Sequence, residues 1–146
     1  MPEPDHSTSL FRELAIPPAS KLWVADFVEP YLSLILARIK QYDSRIHADQ
    51  RLPYGAVQAG DWVAVKQAEG GIVAAVEVLA TWSLDLDHEA DRRQLAAHKS
   101  LIMGTSGYWH EKEGKRFCTI LKLGTVRTLA QPLTYLMPGG QHWVAV

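Results

Sequence analysis

Two strand-like segments separated by a pair of glycines dominate the middle of this sequence. Residues 62–66 form a mostly apolar run, and residues 72–82 form a longer one. Glu69-Gly70-Gly71 lies between them, and glycine supplies the positive φ values that a tight hairpin turn favours. The pattern predicts an antiparallel hairpin, so the fold must be built around a β-sheet.

Further helix and strand signals occur on both sides of this hairpin. Apolar residues at helical spacing follow Asp26, which suits a helix N-cap, and continue to Arg38. Acidic residues open a second helical pattern over 85–103, where they suit the helix dipole. Short strands are predicted over 22–24, 40–47, 116–123, 126–129 and 142–146, with one helical turn over 108–112. The pattern predicts an α+β fold, and a small mixed β-barrel with flanking helices accommodates it.

The chain has the length and composition of one globular domain. It has 146 residues, of which 47% are hydrophobic and 21% charged, and these values are ordinary for a fold with its own core. Residues 1–20 hold four of the eight prolines. We therefore expect an extended N-terminal tail over 1–20 and one domain over 21–146.

The sequence favours a cytoplasmic location. Cys118 is the single cysteine, so it forms no internal disulfide and suits a reducing compartment. Residues 1–5 are acidic where a secretory signal is basic, and no stretch approaches the ~18 apolar residues of a membrane span. We expect no membrane association.

A polar strand over 40–47 carries the main functional signal. Alternation of strand side chains places Gln41, Asp43, Arg45 and His47 on one side. A carboxylate, a guanidinium and an imidazole then share a face that is costly to hide from water. This face predicts a docking place for a polar ligand.

The formal net charge of −1 conceals two locally basic segments. Residues 37–66 hold five Lys and Arg residues against three acids, and residues 115–146 hold four with no acid. If these segments meet, they form a surface that attracts phosphates. Scattered solvated charges are the alternative interpretation. The cations that we assign to such a surface, beyond the polar strand itself, are Arg51, Lys66 and Arg116.

The sequence contains no motif for a metal site or for a nucleotide-binding loop. The histidines are dispersed, without the i, i+4 pairing or neighbouring cysteines of a zinc site. The hairpin segment 66–71 lacks the Gly-Lys-Ser/Thr ending of a phosphate loop. We expect no metal and no cofactor.

Several short motifs resemble the ASCH domain in the order of that family. Residues 31–45 resemble its opening, in which an apolar helix runs into a Gly-Arg-Lys-Thr-like turn and a strand with Lys-x-x-Glu-x-Arg character. Gly60-Asp61-Trp62-Val63 is similar to its Gly-Asp-hydrophobic strand start, and residues 73–78 are similar to its valine-rich central strand. Tyr108-Trp109 followed by Arg116-Phe117 resembles its late aromatic segment. The resemblance spans roughly residues 22–146.

This resemblance implies a fold and a class of ligand. ASCH domains resemble PUA domains, which are small β-barrels that bind RNA, and some members hydrolyse RNA or an acylated nucleoside base. Lys40, Asp43 and Arg45 match the lysine, acidic and arginine positions of the family cleft. Asp43 stands where the nucleoside amidohydrolase branch has threonine, so that hydroxyl nucleophile is missing here. Ser44 is adjacent but belongs to the opposite strand face.

Each candidate residue has a chemical role and a structural alternative. Lys40 is a candidate base if it is desolvated, assisted by Asp43 or His47, whereas a hydrated lysine is only a phosphate contact. Arg45 offers a fork of donors to phosphate, or a partner for Asp43. For His47 the favoured interpretation is an exposed histidine at a strand end, and the alternative is an acid or base near neutral pH. The aromatic side chains that we assign to base stacking are Tyr54 and Trp109.

These observations predict that the protein binds RNA or a nucleotide-sized ligand in a basic cleft, together with RNA hydrolysis if the cleft is catalytic. One alternative is an amidohydrolase acting on an acylated nucleoside. Because the threonine of that branch is missing, ribonuclease is the favoured enzyme class. The other is a non-catalytic module for protein interaction or regulation.

Overall fold

The computed structural model describes the protein from residue 6 to residue 146, with side chains from residue 10 onward. One helix precedes the first strand, and the other helices connect strands of a single sheet. In chain order the elements are α1 (His6–Glu13), β1 (Leu22–Phe27), α2 (Tyr31–Leu36), β2 (Tyr42–His47), β3 (Trp62–Gln67), β4 (Ile72–Asp85), α3 (Glu89–Ile102), α4 (Ser106–Lys112), β5 (Phe117–Leu133) and β6 (Trp143–Ala145).

The strands form one six-stranded mixed sheet in the order β2-β5-β4-β3-β1-β6. β1 and β3 are parallel, and the other neighbouring pairs are antiparallel. On the β2–β5 ladder, Arg45 lies opposite Thr119 and His47 lies opposite Phe117. Residues that lie opposite each other share a face of the sheet, so this register fixes the neighbours of the polar strand.

The sheet curls until its two edge strands approach each other. A flat six-stranded sheet would separate its edges by about 24 Å. Here the guanidinium carbon of Arg45 on β2 lies 5.3 Å from the centre of the Trp143 ring on β6. The register of β4 against β5 shifts around Val76–Val78 and Val78–Ala80, and such irregularities bend a strand. The protein is a half-barrel of the α+β class, which confirms the predicted fold class.

The concave side of the half-barrel holds the largest core cluster, which includes Trp23, Phe27, Val76, Leu121 and Trp143. Alternate residues of the same strands face the convex side, where the helices cover them. Residues of α1 pack there against β1, β3 and β4. Residues of α3 and α4 pack against the outer face of β2, β4 and β5. α1, α3 and α4 therefore bury the convex side, whereas Leu32 and Ile35 of α2 join the concave cluster.

Two predictions near the N-terminus are wrong. The supposedly extended segment 1–20 contains α1, because Leu10 and Leu14 at i, i+4 spacing bury against the sheet and the prolines at 17 and 18 lie beyond the helix. Residues 1–5 lie outside the described residues. The helix predicted from Asp26 begins only at Tyr31, because residue 26 still pairs with Lys66 in the parallel ladder.

The strand predictions hold better. The hairpin of β3 and β4 is confirmed, and the separate strands predicted over 116–123 and 126–129 are one strand, β5, because both pair along the long β4. Within residues 6–146, every helix is too short or too polar to cross a bilayer.

Candidate functional site

Arg45 and Asp43 form an ion pair on the concave face of β2. The Arg45 Nε lies 3.1 Å from Asp43 Oδ2, and the side chains are 18% and 8% exposed. Arg45 Nη2 also donates to the backbone oxygen of Asp26 at 2.8 Å, and the guanidinium carbon lies 4.7 Å from the Phe27 ring centre and 5.3 Å from the Trp143 ring centre. Two of the five N–H donors of Arg45 therefore bond within the protein, which agrees with the alternative that Arg45 is a structural partner of Asp43.

Lys40 lies two residues before β2 and is only 3% exposed. Its Nζ donates to the backbone oxygen of Ile102 at the end of α3 and lies 5.4 Å from the Tyr31 ring centre. Burial lowers the pKa of Lys40, Asp43 partly opposes this change, and Arg45 adds to it. A lysine with a lowered pKa gives up its proton more readily, which is the property that a general base needs.

Tyr108 of α4 covers the free edge of β2. Its hydroxyl lies 2.6 Å from Ser44 Oγ and donates to the Ser44 backbone oxygen at 3.1 Å. α4 begins at a capped turn, in which Thr105 Oγ1 accepts from the Tyr108 backbone N–H at 3.1 Å. Burial raises the pKa of Tyr108 well above its usual value, so the phenol stays protonated. The hydroxyl of Ser44 is thus engaged.

Cations gather around His47 where β2 ends. The pKa of His47 is lowered to about 4, first by burial and then by Lys112, Arg51 and Arg45. Phe117 lies opposite His47 on the ladder, and the Tyr54 ring meets Phe117 edge-on at 5.2 Å between ring centres. We call the group His47, Arg51, Tyr54, Lys112 and Phe117 the β2 rim. It brings positive charge and half-buried aromatic rings to one place.

Lys66 and Arg116 are paired with carboxylates, as Arg45 is with Asp43 and Arg51 with Asp49. Lys66 is 7% exposed, lies 3.3 Å from Asp26 Oδ1 and donates to two backbone oxygens. Arg116 makes two 2.8 Å bonds to Asp85, and these bonds lower the pKa of Asp85 to about 2. The Lys66 ammonium is therefore engaged by Asp26 of β1, whereas the Arg116 guanidinium lies 5.0 Å from the centre of the Phe117 ring of the β2 rim.

A cavity of about 450 Å³ lies on the convex side, between α3, α4 and β2, and Lys112 of the β2 rim is part of its lining. Trp109, predicted from the sequence as a stacking residue, lines this cavity, together with Arg116. Lys99 lies over the Trp109 ring at 4.8 Å. The predicted binding residues are thus divided between the β2 rim and this cavity.

Sequence reasoning missed two buried polar groups beside Arg45. Thr119 Oγ1 and Trp143 Nε1 are buried and make no hydrogen bond within the described part of the chain. Thr119 lies opposite Arg45 on the ladder, and Trp143 packs on its guanidinium. No signal in the sequence would have found them, because only the curling of the sheet brings β6 to β2. Among the described residues, no group of three His, Cys, Asp or Glu side chains is arranged to hold a metal ion.

The strand order and the covered convex side define a half-barrel α+β fold, and solved structures share this fold. The ASCH protein from Zymomonas mobilis superposes with a TM-score of 0.64 at 12% identity, covering 86% of this chain and 87% of that chain. Its tyrosine-to-phenylalanine variant has a TM-score of 0.65 at 12% identity, covering 86% and 90%. Its serine-to-alanine variant has the same TM-score and identity, covering 89% and 91%.

The protein therefore has the ASCH fold, and the predicted resemblance is confirmed at that level. No protein-family model matches the sequence, and no curated protein matches it.

Proposed function

We propose that the protein binds single-stranded RNA or a nucleotide-sized fragment of it at the β2 rim. The observation that carries this proposal is the grouping of Arg51 and Lys112 around His47, beside the Tyr54–Phe117 ring pair. Cations supply phosphate contacts, and an aromatic face stacks a base of any sequence for about 1–3 kcal/mol. The likeness to ASCH structures supports the same class of ligand.

The β2 rim suits this role better than the Lys40–Asp43–Arg45 group. Lys40 and Asp43 are buried, and Arg45 is only 18% exposed, with two of its five N–H donors bonded to internal partners. Arg51, in contrast, has a side chain that is 61% exposed in its pair with Asp49. A phosphate therefore meets Arg51 before it reaches Lys112, whose side chain is 16% exposed, or the Asp43–Arg45 pair.

The test is fluorescence anisotropy with a labelled single-stranded RNA at several salt concentrations. We expect affinity to fall as salt rises, because phosphate contacts release counterions, and Arg51→Gln and Lys112→Gln each to reduce the salt slope by about 1. Arg93→Gln is the matched control, since Arg93 pairs with Glu89 on the exposed side of α3. Absence of binding at low salt, or equal loss in the control, would contradict the proposal and favour a protein-interaction module.

RNA hydrolysis is the second candidate function, and the lowered pKa of Lys40 favours it. In this proposal Lys40 takes the proton of the attacking hydroxyl or water, and Asp43 orients Lys40. His47 contributes only as a neutral group, because its pKa of about 4 makes it a weak base. Amidohydrolysis has less support, because Asp43 replaces the threonine and the Ser44 hydroxyl is bonded to Tyr108.

Purified protein incubated with RNA and, separately, with acylated cytidine tests both activities. Lys40→Met should abolish turnover, whereas Lys66→Met, which removes another buried lysine, should leave it in any protein that remains folded by circular dichroism. Turnover that survives Lys40→Met removes Lys40 from the mechanism. Turnover of acylated cytidine alone would favour the amidohydrolase.

A further inference from the structure

The cavity between α3, α4 and the outer side of β2 has the size of a small-molecule site. Its volume is about 450 Å³, within the range of about 300–1,000 Å³ that ligand pockets occupy. It lies on the convex side, whereas Asp43 and Arg45 face the concave side. We propose that this cavity, which shares Lys112 but no other β2 rim residue in its lining, binds an aromatic monophosphate of the size of one nucleotide.

One face of α3 forms a wall with a cation at each end. Arg92, Leu95, Ala96 and Lys99 line the cavity, and their i, i+3, i+4 and i+7 spacing places them on one side of the helix. The apolar pair in the middle separates the two charges. The wall therefore offers an apolar surface and cationic ends to the same ligand.

Arg92 and Lys99 lack the carboxylate partners that neighbouring cations have. Arg92 donates to the backbone oxygen of Leu86 at 2.8 Å, and Lys99 lies over the Trp109 ring. Neither is in an ion pair with an acid in the described chain, whereas Arg93 on the other side of α3 pairs with Glu89 at 2.8 Å. Two uncompensated cations beside a cavity favour a ligand with two negative charges.

The remaining lining explains why an inorganic anion alone is a poor match. Ile46, Leu86 and Trp109 add apolar surface to that of Leu95, and a flat ring covers such surface better than water does. The carboxylates in the lining belong to Asp87 and Glu113, and the Asp87 carboxylate lies 3.1 Å from Arg116. The excess positive charge of the lining attracts an anion, and its apolar side chains favour one that carries an aromatic group.

Ala96 gives a way to fill the cavity without changing its charge. Its side chain is exposed on the α3 wall, so Ala96→Trp should insert an indole where the ligand ring would lie. Ala97→Trp is the matched control, because Ala97 is also exposed on α3 but does not line the cavity.

Isothermal titration with adenosine 5′-monophosphate, adenosine and inorganic phosphate tests the proposal. We expect the monophosphate to bind at least about tenfold more tightly than either of its parts, which is about 1.4 kcal/mol. Ala96→Trp should abolish binding, Arg92→Gln with Lys99→Gln should weaken it at least about tenfold, and Ala97→Trp should leave it unchanged. Thermal melting confirms that each variant is folded.

Three results would overturn the proposal: no binding of the monophosphate, equal binding to Ala96→Trp, or equal binding of adenosine alone. If the monophosphate does not bind but Ala96→Trp weakens RNA binding, the cavity belongs to an RNA surface and the small-molecule assignment fails. Arg51→Gln separates the two proposals, since it should weaken RNA binding and leave the monophosphate unaffected.

Discussion

The guanidinium of Arg45 packs on the indole ring of Trp143, 5.3 Å from its centre, and thereby joins the two edge strands of the sheet. The same guanidinium pairs with Asp43 on its own strand and donates to the backbone of β1. Because one side chain spans the opening of the half-barrel, Arg45 stabilises the curvature of the sheet. A residue that the family resemblance assigns to the cleft thus has a structural task.

Arg45→Met should destabilise the protein by about 3 kcal/mol, because it leaves Asp43 buried without its cation. Urea unfolding measures the change. Arg51→Met removes a cation from an ion pair that is 61% exposed on both sides, so it should cost less than about 1 kcal/mol. If the two substitutions cost the same, Arg45 does not join the edges. Asp43→Asn added to Arg45→Met should recover part of the loss, since a neutral amide is cheaper to bury than a carboxylate.

The sequence predicts the local elements of this fold better than its edges. The β3–β4 hairpin could be predicted from two apolar segments around a glycine pair, because adjacent strands need only a turn. The start of α2 could not, because β1 is extended to Phe27 by parallel pairing with β3, a contact between distant parts of the chain. Helical spacing after Asp26 is a local preference, and the ladder overrides it.

Tyr108→Phe should destabilise the protein by about 1–2 kcal/mol, because it removes the hydroxyl that bonds Ser44 at the free edge of β2. Ser44→Ala should cost a similar amount. In the double variant the two losses should not add, because both remove the same hydrogen bond. Urea unfolding of the four proteins measures this coupling, and strict additivity would show that the bond contributes nothing.

Gly71→Ala should destabilise the protein by about 1–3 kcal/mol through overpacking. A Cβ at this position would lie 2.5 Å from the Leu133 backbone oxygen on the neighbouring strand. Gly71 does not have a positive φ, so the turn geometry expected from the sequence is not the reason for glycine here. The close approach of β5 is the reason.

Gly139→Ala is the control for this prediction, since a Cβ there meets nothing within 4 Å and its φ is not positive. Thermal melting should show a clear loss for Gly71→Ala and little change for Gly139→Ala. Equal melting temperatures for the two variants would mean that the β5 strand moves aside at little cost.

The sequence predicts which side chains of β2 share a face at the candidate site. It does not predict which residues of other elements surround them. Alternation along β2 places Asp43, Arg45 and His47 on one face, as the register with β5 requires. Their burial follows from partners on other elements, among them Trp143. No local sequence pattern shows that Trp143, which is distant along the chain, packs on Arg45. The basic segments predicted a surface for Lys66 as well, but its ammonium is held by Asp26. Charge counting along a sequence cannot separate a free cation from a paired one.

Acid should destabilise the folded protein through His47. Its folded pKa is about 4 against 6.5 for the ordinary group, with burial as the main cause and Lys112, Arg51 and Arg45 as further causes. Between these two values the unfolded chain binds more protons than the folded one, so stability rises with pH. This contribution is present in full above pH 6.5 and is lost as pH falls toward 4. Urea midpoints between pH 7 and pH 4.5 should follow this slope, and His47→Gln should flatten it.

Nuclear magnetic resonance titration of the His47 ring tests the cause directly. Added salt screens the three cations but leaves burial unchanged, so the measured pKa should rise only part of the way toward 6.5. RNA phosphates bound at the β2 rim should raise it as well, because they neutralise Arg51 and Lys112. A His47 pKa near 6.5 in the free protein would show that the cations do not converge on this ring, and the proposed RNA site at the β2 rim would lose its main support.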